Sequence, residues 1–331
     1  MVKLDNKKAL EMSFAWIFAI IVGAIIIISA IYIAGKFIIP GGQYRVNTET
    51  AKQIANAFEP LQTSVEEIKS DSLIFISETK LYTSCNLNEE FGENRFEISE
   101  RSGFNKQWTE RGGDIASKNY VFAEEEIETK EDKRVYFLVK QFKMPFKTAD
   151  VISMYTNKYC FVNTPESIEE ELNALNLKEN GTNIELKTAV SSCDEDSVKV
   201  CFNSQGNCDV IVSCNDFECN NGYVKKGSNY KEYFSKALVY GAIFSSKEDY
   251  ECNVERIMKR LNALSELYAD KATFISGKGC NTGLNADIVA LAQLTSKFNI
   301  KKIESELPVI EAQAMTIEEK NKPENLVCQL F

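Results

Sequence analysis

The chain has no histidine among its 331 residues. That removes imidazole acid–base catalysis, Ser-His and Cys-His nucleophile pairs, and every His-ligated metal site. Cysteine is missing before Cys85, and no two of the ten cysteines are separated by only two residues, so zinc-ribbon spacing is absent. Positive charge is not in excess either. The formal net charge is −10, which argues against nucleic acid and against lying flat on an anionic lipid surface.

One stretch lacks charge altogether. From Phe14 to Gly35, FAWIFAIIVGAIIIISAIYIAG, twenty-two residues pass without a charged side chain of either sign. As a helix rising ~1.5 Å per residue it is ~33 Å long, close to the ~30 Å hydrocarbon core of a bilayer. It is apolar all round, unlike a helix with one solvated face. It also exceeds the ~7–15-residue apolar region of a cleaved secretory signal. The expected organisation is a short basic cytoplasmic leader (1–12), a transmembrane helix (13–39), a hinge and spacer helix (40–70) and an extracytoplasmic domain (71–331). Lysines and arginines nearly balance across the apolar stretch. The cysteines decide the orientation: an even number, all beyond the anchor, reads as disulfides in an oxidising compartment. Within the anchor, Ala15, Ala19 and Gly23 recur at four-residue spacing and Ala30 and Ala34 repeat it. Such a stripe suits close helix packing in lipid. The expected partners are therefore the bilayer and either a second copy or another membrane protein.

Lys7-Lys8-Ala9, directly before Leu10-Glu11-Met12 and the apolar run, resembles the class III signal peptide of archaeal type IV pilin-like surface proteins. The resemblance covers about the first 35 residues and implies clipping between Ala9 and Leu10, with the apolar helix then used for packing. Two features depart from that pattern. Glu11 is the second residue after such a cut, where pilins carry an acid near the fifth, and Pro40-Gly41-Gly42 interrupts the helix that pilins continue into the head.

Downstream the expected fold is α+β: a disulfide-braced, β-rich part (71–245) followed by helices (246–320). Asn47-Thr48-Glu49-Thr50 offers caps for the spacer helix. SLIFISETKLYTSC (72–85) reads as a strand buried on both sides, and VYFLVKQF (135–142), YCFV (159–162) and ALVYGAIF (237–244) as further strands. Residues 247–276 place Val254, Ile257, Met258, Leu261, Leu264 and Tyr268 on one helix face. The expected disulfides are Cys252 with Cys280, if the glycines after the long helix let the chain fold back, then Cys214 with Cys219 and Cys85 with Cys160.

No constellation reads as a catalytic centre. Gly277–Gly283 lacks the phosphate-loop order and reads as a helix end with a disulfide. Asp216, Glu218 and Asn220 have calcium-loop alternation without its glycine or terminal glutamate. Asp194-Glu195-Asp196 reads as a turn. No cofactor or metal is expected, and the favoured function is a non-enzymatic, membrane-anchored surface protein, pilin-like or adhesive. The sequence leaves open an unclipped membrane-anchored binding protein or assembly factor, and an anchored hydrolase on domain size alone.

Overall fold

Residues 135–139 and 148–155 are buried at every position, and the hairpin they belong to is the axis of the domain. The computed structural model describes residues 39–58, 67–88, 90–102, 107–175, 182–204, 206–322 and 328–331. Strands β8 (Arg134–Lys143) and β9 (Lys147–Tyr155) pair antiparallel, with Tyr136 opposite Tyr155 and Val139 opposite Ile152. β1 (Ile68–Ile74) flanks β8 and β6 (Tyr120–Phe122) flanks β9, giving a four-stranded central sheet. Because side chains alternate along a strand, Val135, Phe137 and Val139 bury on one face while Tyr136, Leu138 and Phe142 bury on the other.

The first face is covered by a second sheet and a helix. This sheet runs β4 (Gln107–Trp108), β3 (Glu93–Ser102), β2 (Thr79–Asn86), β7 (Glu126–Glu128), with β5 (Ile115–Ser117) also on β3. Its Leu81, Phe96 and Ile98 join Ala51 and Ile54 of α1 (Ile39–Ala57), with Phe58 just beyond that helix, in one core cluster. The other face meets α3 (Lys236–Phe244), a helix buried from Ala237 to Phe244 and shared with a third sheet. That sheet orders β11 (Ile184–Lys187), β10 (Tyr159–Val162), β12 (Val198–Phe202), β13 (Val210–Cys214), β14 (Asn221–Lys226) and β15 (Asn229–Phe234). It is parallel through β13 and antiparallel after it, with α2 (Glu166–Ala174) crossing between β10 and β11. α4 (Lys247–Ser276), α5 (Asn285–Ser296) and α6 (Ile303–Lys320) complete an α+β domain.

Four expectations change. ALVYGAIF is α3, not a strand: an all-apolar run has no period of its own, and the Ser235 side chain, accepting from Ala237 N–H, caps it as a helix between two sheets. There is no room for bulk at its middle, since a Cβ on Gly241 would lie 2.8 Å from Phe122 Cδ1. Pro40-Gly41-Gly42 has helical backbone within α1 rather than forming a hinge, and Asn47 lies inside that helix instead of capping one. There its Nδ2 donates to Thr109 Oγ1 at 2.9 Å and Glu110 O at 2.8 Å. The 72–85 run is split at 75–78 into the edge strand β1 and the inner strand β2, so it is not one strand buried on both sides.

All ten cysteines are described and all are paired: Cys85–Cys252, Cys160–Cys193, Cys201–Cys208, Cys214–Cys219 and Cys280–Cys328. Cys252 does not bond Cys280. α4 is unbroken between them, and 24 residues at ~1.5 Å each hold them roughly 36 Å apart along the helix, whereas bridged Cα atoms lie within about 7 Å. Cys85 does not bond Cys160 either, because β2 presents it to α4, while Cys160 is buried in the third sheet with Cys193, Cys201 and Cys208.

Among the described residues no helix is long and apolar enough to cross a membrane. The charge-free run 14–35, its stripe (Ala15, Ala19, Gly23, Ala30, Ala34) and the Ala9–Leu10 junction lie outside the described residues.

Candidate functional site

α4 opens with a polar stripe beside its apolar one. Ser246, Asp249, Asn253 and Arg256 follow at three- and four-residue spacing, which stacks them on one side of the helix. Ser246 is the N-cap, its side chain accepting from Asp249 N–H at 3.2 Å. Asn253 Nδ2 donates to Val121 O at 3.0 Å and to Asp249 O at 3.1 Å.

Arg256 is 0 % exposed. Its guanidinium donates to the carbonyls of Phe91 (3.0 Å), Gly92 (3.4 Å), Lys118 (3.1 Å) and Asn119 (3.0 Å). It also donates to side-chain oxygens of Asn94 and Asn253, and its Cζ lies 4.7 Å from the Tyr120 ring centroid. A buried charge is tolerated only when its donors are met, and here every N–H of the planar fork has an acceptor within reach. Burial pulls the guanidinium down to about 10, which leaves it charged at neutral pH. The β2–β3 turn it grips needs glycine: at Gly92, φ is +59° and a Cβ would sit 2.4 Å from Asn86 O.

Two turns earlier, Asp249 Oδ2 accepts from Ala123 N–H at 3.0 Å. Its Oδ1 is buried with no hydrogen-bond partner among the described residues. Burial pushes this carboxyl up to about 7. On β15, the buried Lys231 donates from Nζ to Ser245 O at 2.5 Å, and burial brings its ammonium down to about 7. Both groups therefore titrate near neutrality, one because its negative form is poorly solvated and the other because its positive form is.

Asp249 and the Cys85–Cys252 bridge lie at the edge of a cleft of about 470 Å³ between the second sheet and the start of α4. The cleft's cations are occupied. Arg95 pairs with Glu93 at 2.7 Å and with Asp114, and Arg111 pairs with Glu97 at 3.2 Å while stacking 3.5 Å from the Tyr82 ring centroid. Glu126 is taken by Lys80 at 2.6 Å. Glu125, Glu248 and Asp249 also line the cleft and have no ion-pair partner among the described residues. The arrangement leaves negative charge unbalanced in the cleft, whose aromatic lining residue, Tyr82, already carries the Arg111 guanidinium on its ring. Such a cleft can attract a positively charged organic group by charge.

The motifs singled out in the sequence lie elsewhere. Asp216 uses its carboxylate to accept from Asn220 N–H and Asn221 N–H, closing the turn bridged by Cys214–Cys219, and Glu218 pairs with Lys236 at 3.2 Å. Gly277–Gly283 ends α4, with Cys280 N–H returning to Ile275 O and Cys280 bridged to Cys328. Asp194 lies in a turn and pairs with Lys158. Sequence reasoning missed the Asp249–Asn253–Arg256 stripe. Its signal was the i, i+4, i+7 spacing of polar groups alongside the apolar face of α4.

Compared with protein-family models, with curated proteins and with solved structures, the chain finds no match in any of the three.

Proposed function

We propose that this chain is a single-pass, membrane-anchored surface protein, non-enzymatic, with its N-terminus cytoplasmic and its α+β domain extracytoplasmic. It acts by contact, as a pilin-like or adhesive component. The observation that carries this reading is that all ten cysteines follow the apolar run and all are bridged, as suits an oxidising compartment beyond a membrane anchor. The small-residue stripe of residues 15–34 packs against another membrane helix, and the acidic cleft takes a basic side chain presented by a neighbouring surface protein.

Topology is the test. With every native cysteine bridged, Glu11→Cys and Glu90→Cys each add one free thiol, on opposite sides of the proposed anchor and both retained if the chain is clipped before Leu10. In intact cells a membrane-impermeant maleimide should label the Glu90→Cys chain alone, and the protein should stay in membranes through a carbonate wash. Labelling of the Glu11→Cys chain, or release by carbonate, overturns the reading. The first residue of the mature protein separates a clipped pilin-like chain, beginning at Leu10, from an unclipped anchored binding protein.

A further inference from the structure

One end of the second sheet is set beside the start of α1, where the chain arrives from the charge-free run. α1 lies along this sheet in a direction its contacts define. Phe58, past its far end, packs 5.6 Å from the Phe96 ring, Asn47 bonds Thr109, and Gln43 Nε2 reaches Glu100 Oε2 at 3.4 Å. Passing from Phe96 to Glu100 along β3 therefore leads toward the anchor. The link between β1 and β2 lies at this same end, since Thr79 pairs with Glu100.

That link, with the end of β1, presents two isoleucines to solvent. Ile76 in the link is 97 % exposed, and Ile74, the last residue of β1, is 64 % exposed. Single exposed apolar residues are ordinary, but these two adjoin a turn held on three sides. Phe75 N–H donates to Lys133 O at 2.8 Å, and Lys133 Nζ donates to Ile76 O at 2.9 Å. Ser77 Oγ donates at 3.2 Å to Glu100 Oε2, the oxygen that also receives Gln43. One carboxylate thus joins the turn to α1. Close by, Trp108 lies 4.9 Å from Lys80 Nζ and 5.7 Å from Arg101 Cζ, measured to its ring centroid. Aliphatic tips with an amphipathic indole and long basic side chains are the composition of a membrane–water interface. The acids present, such as Glu78 against Arg101 at 2.6 Å, leave the rim near neutral.

We infer that the β1–β2 turn, led by Ile76, is a second membrane contact that seats this end of the domain in the bilayer interface beside the anchor. The inference rests on the anchored reading above. A lipid surface is the occupant because the chain leading into α1 is the proposed membrane segment, which brings this rim to the headgroup level. The near-neutral rim makes the seating apolar, independent of anionic lipid. The acidic cleft, at the Cys85 end of β2, is then held away from the bilayer.

The test uses the full chain in phosphatidylcholine vesicles, with and without phosphatidylglycerol. Ile76→Cys supplies a single free thiol for an environment-sensitive fluorophore, and Glu90→Cys, exposed on the β2–β3 turn at the other end of β2, is the control. The fluorophore at 76 should be blue-shifted and lose intensity to doxyl-labelled lipid in both vesicle types, while that at 90 should report water. A carbonate wash of the same vesicles reads the anchor separately. Retention with a water-like signal at 76 overturns the inference and leaves the anchor standing. Release by carbonate overturns both. A signal at 76 that needs phosphatidylglycerol overturns the apolar seating.

Discussion

Arg256 lies with its Cζ 4.7 Å over the ring of Tyr120, and through that one buried guanidinium α4 is tied to two turns of the sheets. Arg256→Met leaves the carbonyls of Phe91, Gly92, Lys118 and Asn119 without their donor. At about 1–3 kcal/mol for each unsatisfied buried group, partly relieved by relaxation, a loss of about 4 kcal/mol or more is expected. Arg256→Lys should recover little of it, because a compact ammonium does not span the same acceptors. Urea unfolding of the full chain in detergent checks both.

The pH dependence of stability should pass through a minimum near neutrality, from two groups of opposite sign. Asp249 is raised from 3.8 to about 7 in the folded protein. Between those values the folded state holds a proton that the unfolded chain has lost, so stability falls as pH rises through that window. Lys231 is lowered from 10.5 to about 7. Above about 7 the unfolded chain holds the extra proton, so stability rises with pH until about 10. Each limb has a limiting slope of about 1.4 kcal/mol per pH unit. Asp249→Asn should flatten the acidic limb and Lys231→Met the alkaline one, read as urea midpoints across the pH range. A limb unchanged in its own variant overturns that assignment.

Removing disulfides should rank by loop length. Cys85–Cys252 closes a separation of 167 residues, for which loop constraint gives about 5 kcal/mol. Cys201–Cys208 closes 7, for which the same relation gives about 2–3 kcal/mol. Double alanine variants compared by thermal unfolding test the order. Equal losses would mean that the unfolded chain is already compact around the long bridge.

Ligand charge should matter at the cleft. Argininamide added to the detergent-solubilised chain is expected to bind weakly, and more weakly as pH falls through about 7 and Asp249 takes up its proton. Asp249→Asn should remove that pH dependence, while Glu266→Gln, outside this cleft, should leave it intact. Calorimetric titration reads both.

Local signals carried much of this fold. The apolar spacing from Val254 to Leu264 defines α4, and the β-branched and aromatic runs at 134–143 and 159–162 define β8 and β10. ALVYGAIF failed because its state is set by the sheets on either side of it. The 5-residue spacing of Cys214 and Cys219 was legible as a closed turn, whereas Cys85 finds Cys252 only because β2 and α4 meet. The cleft was hidden for the same reason. Asp249 and Arg256 take their meaning from Ala123, Phe91 and Asn119, more than a hundred residues earlier in the chain.

Every disulfide lies C-terminal to α1. In the anchored protein proposed above, tension between the membrane and a partner in the cleft must cross α1 before it reaches any covalent brace. That crossing is made by Asn47 on Thr109 and Glu110, Gln43 on Glu100, and Ile54 and Phe58 in the core. These contacts lie along the length of α1, so a pull on its leading end loads them together in shear, not one after another. Beyond α1, Cys85–Cys252 is the first bridge to take the load, and it carries force from the second sheet straight into the long helix beside the cleft. The mechanical threshold of the domain is therefore set at the α1 interface.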